Sequence, residues 1–180
     1  MAARTPETLL EQGRAAKREH RPQYARNLFR KALKESRKSE DRALRAALFE
    51  ELAYVDRNLR DLEAARRHYL QASEIYRSLD SHDETAHTMR HAADILREQG
   101  KRDRAEPLYV EALAIFHSQQ QTWPLDLANA IRGYALLKTE SGDRQQALAL
   151  WHEARELYLE TGIEAGVTEC AARIRSLLAD

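Results

Sequence analysis

His87 and His91 stand four residues apart, with Asp83 four before the first and Asp94 three after the second. Positions three and four apart share one face of a helix, so two imidazoles and a carboxylate would converge there. That is three-quarters of a tetrahedral metal set. The pattern supplies no fourth ligand from another helix, so no metal and no cofactor are expected. The pair reads instead as partly exposed histidines that make binding sensitive to pH near the imidazole pKa of about 6.5. Signatures of catalysis are missing: the chain has no Gly-rich phosphate loop, nucleophile elbow, HExxH or CxxC. An enzyme is not expected.

The elements that would carry these residues are helical. Charged residues make up 32 % of the 180-residue chain, with six glycines and four prolines, which suits helices solvated on one face. Twenty-nine basic residues balance 29 acidic ones, so nothing at whole-chain level calls for nucleic acid or an anionic membrane. Cys170 is the one cysteine, which rules out an intrachain disulfide and a cysteine metal site and fits a reducing cytoplasm. No stretch approaches the roughly 20 apolar residues of a membrane span, and the N-terminus lacks a signal-peptide run.

A repeat organises the chain. Ala25, Ala65, Ala105 and Ala147 are spaced 40, 40 and 42 residues. Four residues after each comes an aromatic (Phe29, Tyr69, Tyr109, Trp151), and three further on another alanine (Ala32, Ala72, Ala112, Ala154). Twelve before each is a small residue: Gly13, Ala53, Ala93 and Ala135. Apolar positions fall three and four apart, the helical period, so each unit reads as a helix pair whose backbones meet at the small residues. Thr5-Pro6-Glu7, Ser39-Glu40-Asp41, the capping box Ser81 to Glu84, and Pro124 open first helices. Gly100 and Gly142 fit the turn inside a pair; Arg60 and His20 stand at the same place, so those turns are built differently or carry strain. Trp123 is expected to staple back onto the array. The units run over about 5–38, 39–80, 81–121 and 122–161, with a capping helix over about 165–179.

This pattern resembles the tetratricopeptide repeat over about residues 5–160. The 40–42-residue period and the stretch QGKRDRAEPLYVEALAI at 99–115 look like the extended repeat of kinesin light chains and related bacterial proteins. The resemblance implies an all-α fold, a right-handed superhelical α-solenoid of antiparallel helix pairs forming a single repeat domain. It also implies protein or peptide binding, with first-helix side chains lining a concave groove. By register those columns hold Glu7, Leu10, Glu11, Arg14 and Lys17; Ala47, Glu50, Glu51, Tyr54 and Arg57; His87, Arg90, His91, Asp94 and Arg97; and Asn129, Arg132, Gly133, Leu136 and Thr139. The candidate peptide-binding residues are Tyr54, Arg57, His87, Arg90, His91, Asp94, Arg97, Asn129 and Arg132. Their cations would hold an acidic segment or a free C-terminus, since Arg forks grip carboxylates bidentately. Self-association without a groove ligand is the alternative. Tyr69, Tyr109 and Trp151 are expected in the core.

Overall fold

The chain starts and stops its helices with local chemistry. Thr5 caps the first helix by accepting the Thr8 amide at 3.3 Å, and Pro6 takes the first helical position. Asp41, Asp61 and Asp143 do the same for Leu44, Ala64 and Gln146, each satisfying an amide that a helix end leaves without a partner. A computed structural model describes residues 5–38, 40–119 and 123–179. Among them it holds nine α-helices: α1 (Pro6–Arg18), α2 (Pro22–Glu35), α3 (Arg42–Asn58), α4 (Leu62–Arg77), α5 (His82–Glu98), α6 (Arg102–Ser118), α7 (Pro124–Glu140), α8 (Arg144–Glu160) and α9 (Glu164–Ala179). Asp41 caps α3; the expected opening residue Ser39 lies outside the described residues. The fold is an all-α array of helix hairpins.

Turns inside the pairs repeat one backbone device. Gly100 and Gly142 are left-handed at φ 72° and 78°, and His20 and Arg60 adopt the same conformation at 56° and 64°. The two non-glycine turns are therefore not built differently. They carry the steric cost of a Cβ in that region, about 1–2 kcal/mol each. Trp123 departs from expectation too. It occupies the position before α7 and is 69 % exposed, so it does not staple back.

Two compact units divide the chain, Met1–Ala92 and Ala93–Asp180. In the first, α1 packs on α2, α2 on α3 and α3 on α4. In the second, α7 packs on α8 and α8 on α9. All four repeat columns are buried: the eight alanines of the second helices are 0 % exposed, as are Ala53, Ala93, Ala135, Phe29, Tyr109 and Trp151, and Tyr69 is 2 % exposed. A second aromatic column, seven residues after the first, is buried with it: Tyr76, Phe116 and Tyr158. Helix α9 buries Gly166, Cys170 and Ile174.

Unit 1 also contains a buried ionic seam. Asp56 of α3, fully buried, lies 2.6 Å from Arg26 Nε of α2 and 2.8 Å from His68 Nδ1 of α4. One carboxylate thus ties three helices, and Arg26 reaches on to Asp61 at 2.5 Å. Losing one partner of such a cluster strands a charge away from water.

The close approach of α1 and α2 has a measurable consequence. A Cβ built on Gly13 would stand 2.2 Å from Phe29 Cε1, and Phe29 is fully buried with nowhere to retreat. Gly13→Ala is expected to destabilise unit 1 by about 1–3 kcal/mol, the usual cost of overpacking. A lowered urea midpoint would show it, and an unchanged midpoint would contradict it.

Candidate functional site

The first-helix face of unit 1 is assembled from α1, α3 and α5. Helical spacing puts Glu50, Tyr54 and Arg57 in one stripe on α3, and His87, Arg90 and His91 on the facing part of α5. Tyr69, a scaffold aromatic on α4, stacks on the His91 ring with centroids 4.9 Å apart and planes 15° apart. His87 meets the same ring edge-on at 4.6 Å. Two guanidiniums close on His91 Nδ1: Arg90 Nη1 at 3.1 Å and Arg57 Nη1 at 3.5 Å. Burial, helped by Arg90, His87 and Arg57, holds the His91 pKa well below the ordinary 6.5.

Next to this cluster lies a cleft of 90 Å³, lined by Lys17, Glu50, Glu51 and Tyr54 together with the Tyr69, His87 and His91 rings. Glu51 accepts hydrogen bonds from Arg14 Nε at 2.8 Å and Lys17 Nζ at 2.6 Å. The Lys17 ammonium also sits 4.6 Å from the centroid of the Tyr54 ring, within cation–π range. Glu50 accepts the Tyr76 hydroxyl at 2.9 Å and faces His87 Nε2 at 3.7 Å. Burial and the Glu50 charge push the Tyr76 phenol pKa up, so it remains a donor. Tyr54 is 45 % exposed at the centre of the stripe.

Unit 2 arranges its candidates differently. Asp94 turns inward, 9 % exposed, and accepts the Tyr109 hydroxyl at 2.6 Å. Gly133 closes over this pair: a Cβ there would stand 2.8 Å from both Asp94 Oδ1 and Tyr109 Cε1. Arg97 donates to Glu140 at 2.5 Å, and Arg132 grips Glu169 with Nε and Nη2 at 2.6 and 2.9 Å. Asn129 accepts the Tyr158 hydroxyl at 2.8 Å. In unit 2 the expected cationic surface is thus largely internal bonding between helices. Tyr54, Arg57, His87, Arg90 and His91 do come together, in unit 1.

Lys17, Glu50, Glu51 and Tyr76 complete the unit 1 site without having been singled out. For Tyr76 the signal was present, as the aromatic column repeats seven residues after the first. For the pairs between helices it was the interval: Lys17–Glu51, Arg14–Glu51, Arg57–His91 and Arg132–Glu169 are separated by 34 or 37 residues. That interval is slightly less than one repeat, because corresponding helices of neighbouring pairs lie side by side. Among the described residues no group of three or more His, Cys, Asp or Glu side chains could hold a metal, and no helix is long and apolar enough to cross a membrane.

Residues 44–118 match a family model described as tetratricopeptide repeat. No curated protein matches the chain. Among solved structures it is similar to BtubC (BKLC) from P. vanneervenii, with 22 % identity and a TM-score of 0.80 over 90 % of this chain and 68 % of that one. It is also similar to a Rap protein complexed with Competence and Sporulation Factor, with 15 % identity and a TM-score of 0.75 over 96 % of this chain. The chain spans 48 % of that Rap protein's length. Putative kinesin light chain TPR-like repeats from Podosopora anserina match at 18 % identity and a TM-score of 0.58, covering 99 % of this chain and 98 % of that one. At these identities the likeness is one of fold. The match over residues 44–118 and the repeat columns buried as helix pairs show a tetratricopeptide-like, all-α repeat fold.

Proposed function

We propose that the chain is a non-catalytic interaction module that captures a peptide segment on the first-helix face of unit 1. The contact is an acidic side chain or a free C-terminal carboxylate. The observation that carries this reading is the convergence of Arg57 and Arg90 on His91 Nδ1, at 3.5 and 3.1 Å. Two guanidiniums gathered on one half-buried imidazole create a local positive potential, which adds to burial in holding the His91 pKa down. A carboxylate between the two forks would accept from both, in a setting where partial burial strengthens charge-assisted hydrogen bonds. Tyr54, exposed beside them, offers an aromatic surface to the same segment. The Rap neighbour, solved with Competence and Sporulation Factor, supports the reading in that its similar fold holds another molecule. Asp94, Arg97, Asn129 and Arg132 would take part only by exchanging present partners, such as Glu140 and Glu169, for the ligand.

Charge reversal tests the anion contact. A labelled hexaglutamate peptide is expected to bind the native chain at low salt, and the double variant Arg57→Glu/Arg90→Glu is expected to weaken it by at least about tenfold. Equal affinity in a fluorescence-anisotropy titration would sink the proposal.

The same cluster makes stability depend on pH. His91 is neutral in the folded chain, whereas the unfolded chain takes up a proton there as pH falls through its ordinary 6.5. The unfolded state then binds more protons, so this contribution lowers stability on acidification. The loss in urea midpoint between about pH 7.5 and about pH 5.5 should be smaller in His91→Gln than in the native chain. An identical loss would contradict the assignment.

A further inference from the structure

The unit 1 face is electrically polarised along α3. Glu50 and Glu51 stand at one end of the stripe, Tyr54 in the middle and Arg57 at the other end. Across from it, α5 sets His87 against Glu50 at 3.7 Å and Arg90 beside Arg57, both guanidiniums reaching His91. The acidic end opens into the 90 Å³ cleft, which has room for the head of one side chain. An ammonium already occupies its edge: Lys17 lies 2.6 Å from Glu51 and over the Tyr54 ring. Carboxylate and aromatic face together are the surroundings an ammonium or guanidinium selects. Glu50, on the other wall, meets a hydroxyl and an imidazole.

From this geometry we infer that the captured segment is of mixed charge: a basic side chain enters the Glu50–Glu51–Tyr54 cleft while an acidic group lies on Arg57 and Arg90. The two ends, from Glu50 to Arg57, are seven residues apart on α3, or roughly 10 Å at 1.5 Å per residue. An extended ligand advances about 3.3 Å per residue, so its basic and acidic residues are about three positions apart. Lys17 acts as an internal stand-in for the ligand's cation, displaced or shifted when the segment binds. The inference rests on the anion contact proposed above and adds the cation contact and the spacing.

Alanine-based peptides with blocked ends test the two contacts separately by calorimetry. The parent carries lysine and glutamate three positions apart; one relative has norleucine for lysine, the other glutamine for glutamate. Norleucine is expected to weaken binding about tenfold. Glu50→Gln, which keeps side-chain volume, is expected to weaken the parent by a similar factor and leave the norleucine peptide unchanged, the signature of direct coupling. Lys17→Met is expected to tighten the parent. Equal binding of parent and norleucine peptides, or equal effects of Glu50→Gln on both, would overturn the cation subsite while leaving the anion contact standing. Equal binding of parent and glutamine peptides, or no binding of the parent, would overturn the anion contact and this inference with it.

Discussion

An aromatic ring seated where the facing helix offers little or no side chain is the constraint on which the rest depends. Phe29 fills the space left by Gly13, and Tyr109 fills that left by Gly133. Each such ring is buried almost completely, worth roughly 1.5–3 kcal/mol of transfer free energy apiece. The alanine columns let the second helices come close enough for that burial. Because a helix pair cannot cover its own apolar face, the same rings also meet the next pair. There scaffold turns into site. Tyr69 stacks under His91 of the next pair, and Tyr109 meets Gly133 and Tyr134 of the next pair while hydrogen-bonding Asp94 within its own. The ring column thus helps set which α5 side chains are held inward.

The charges follow from that stacking. Neighbouring first helices lie side by side, so a long basic side chain on one meets an acid on the next: Lys17 and Arg14 on Glu51, Arg132 on Glu169. These pairs are partly exposed, and pairs of this kind contribute little to stability individually. Their effect is on the character of the face. In unit 2 the Arg97 and Arg132 heads are directed to Glu140 and Glu169. In unit 1 acids gather at one end of α3, while Arg57 and Arg90 converge on an imidazole at the other.

What the sequence made legible was the part governed by period. Four columns of small and aromatic residues recur at 40–42 residues and reveal helix pairs, core and the family likeness. Proline and threonine at the α1 start and proline at the α7 start mark helix openings by local chemistry alone. What stayed hidden depends on which side chains face one another across helices. Asp94 and Arg90 sit on the same helix and look alike as groove candidates, yet one bonds a core tyrosine and the other points to His91. The turn at Arg60 is another case. A glycine-specific signal is absent, but the hairpin imposes the left-handed conformation anyway, because packing over the whole pair outweighs about 1–2 kcal/mol of local strain.

Amide chemical-shift mapping of the native chain with the parent lysine–glutamate peptide tests the central claim most directly. Saturable shifts centred on residues 50–57 of α3 and 87–91 of α5, with Lys17 moving alongside, are the predicted result. Saturable shifts confined to α8 and α9, with α3 and α5 unmoved, would contradict it.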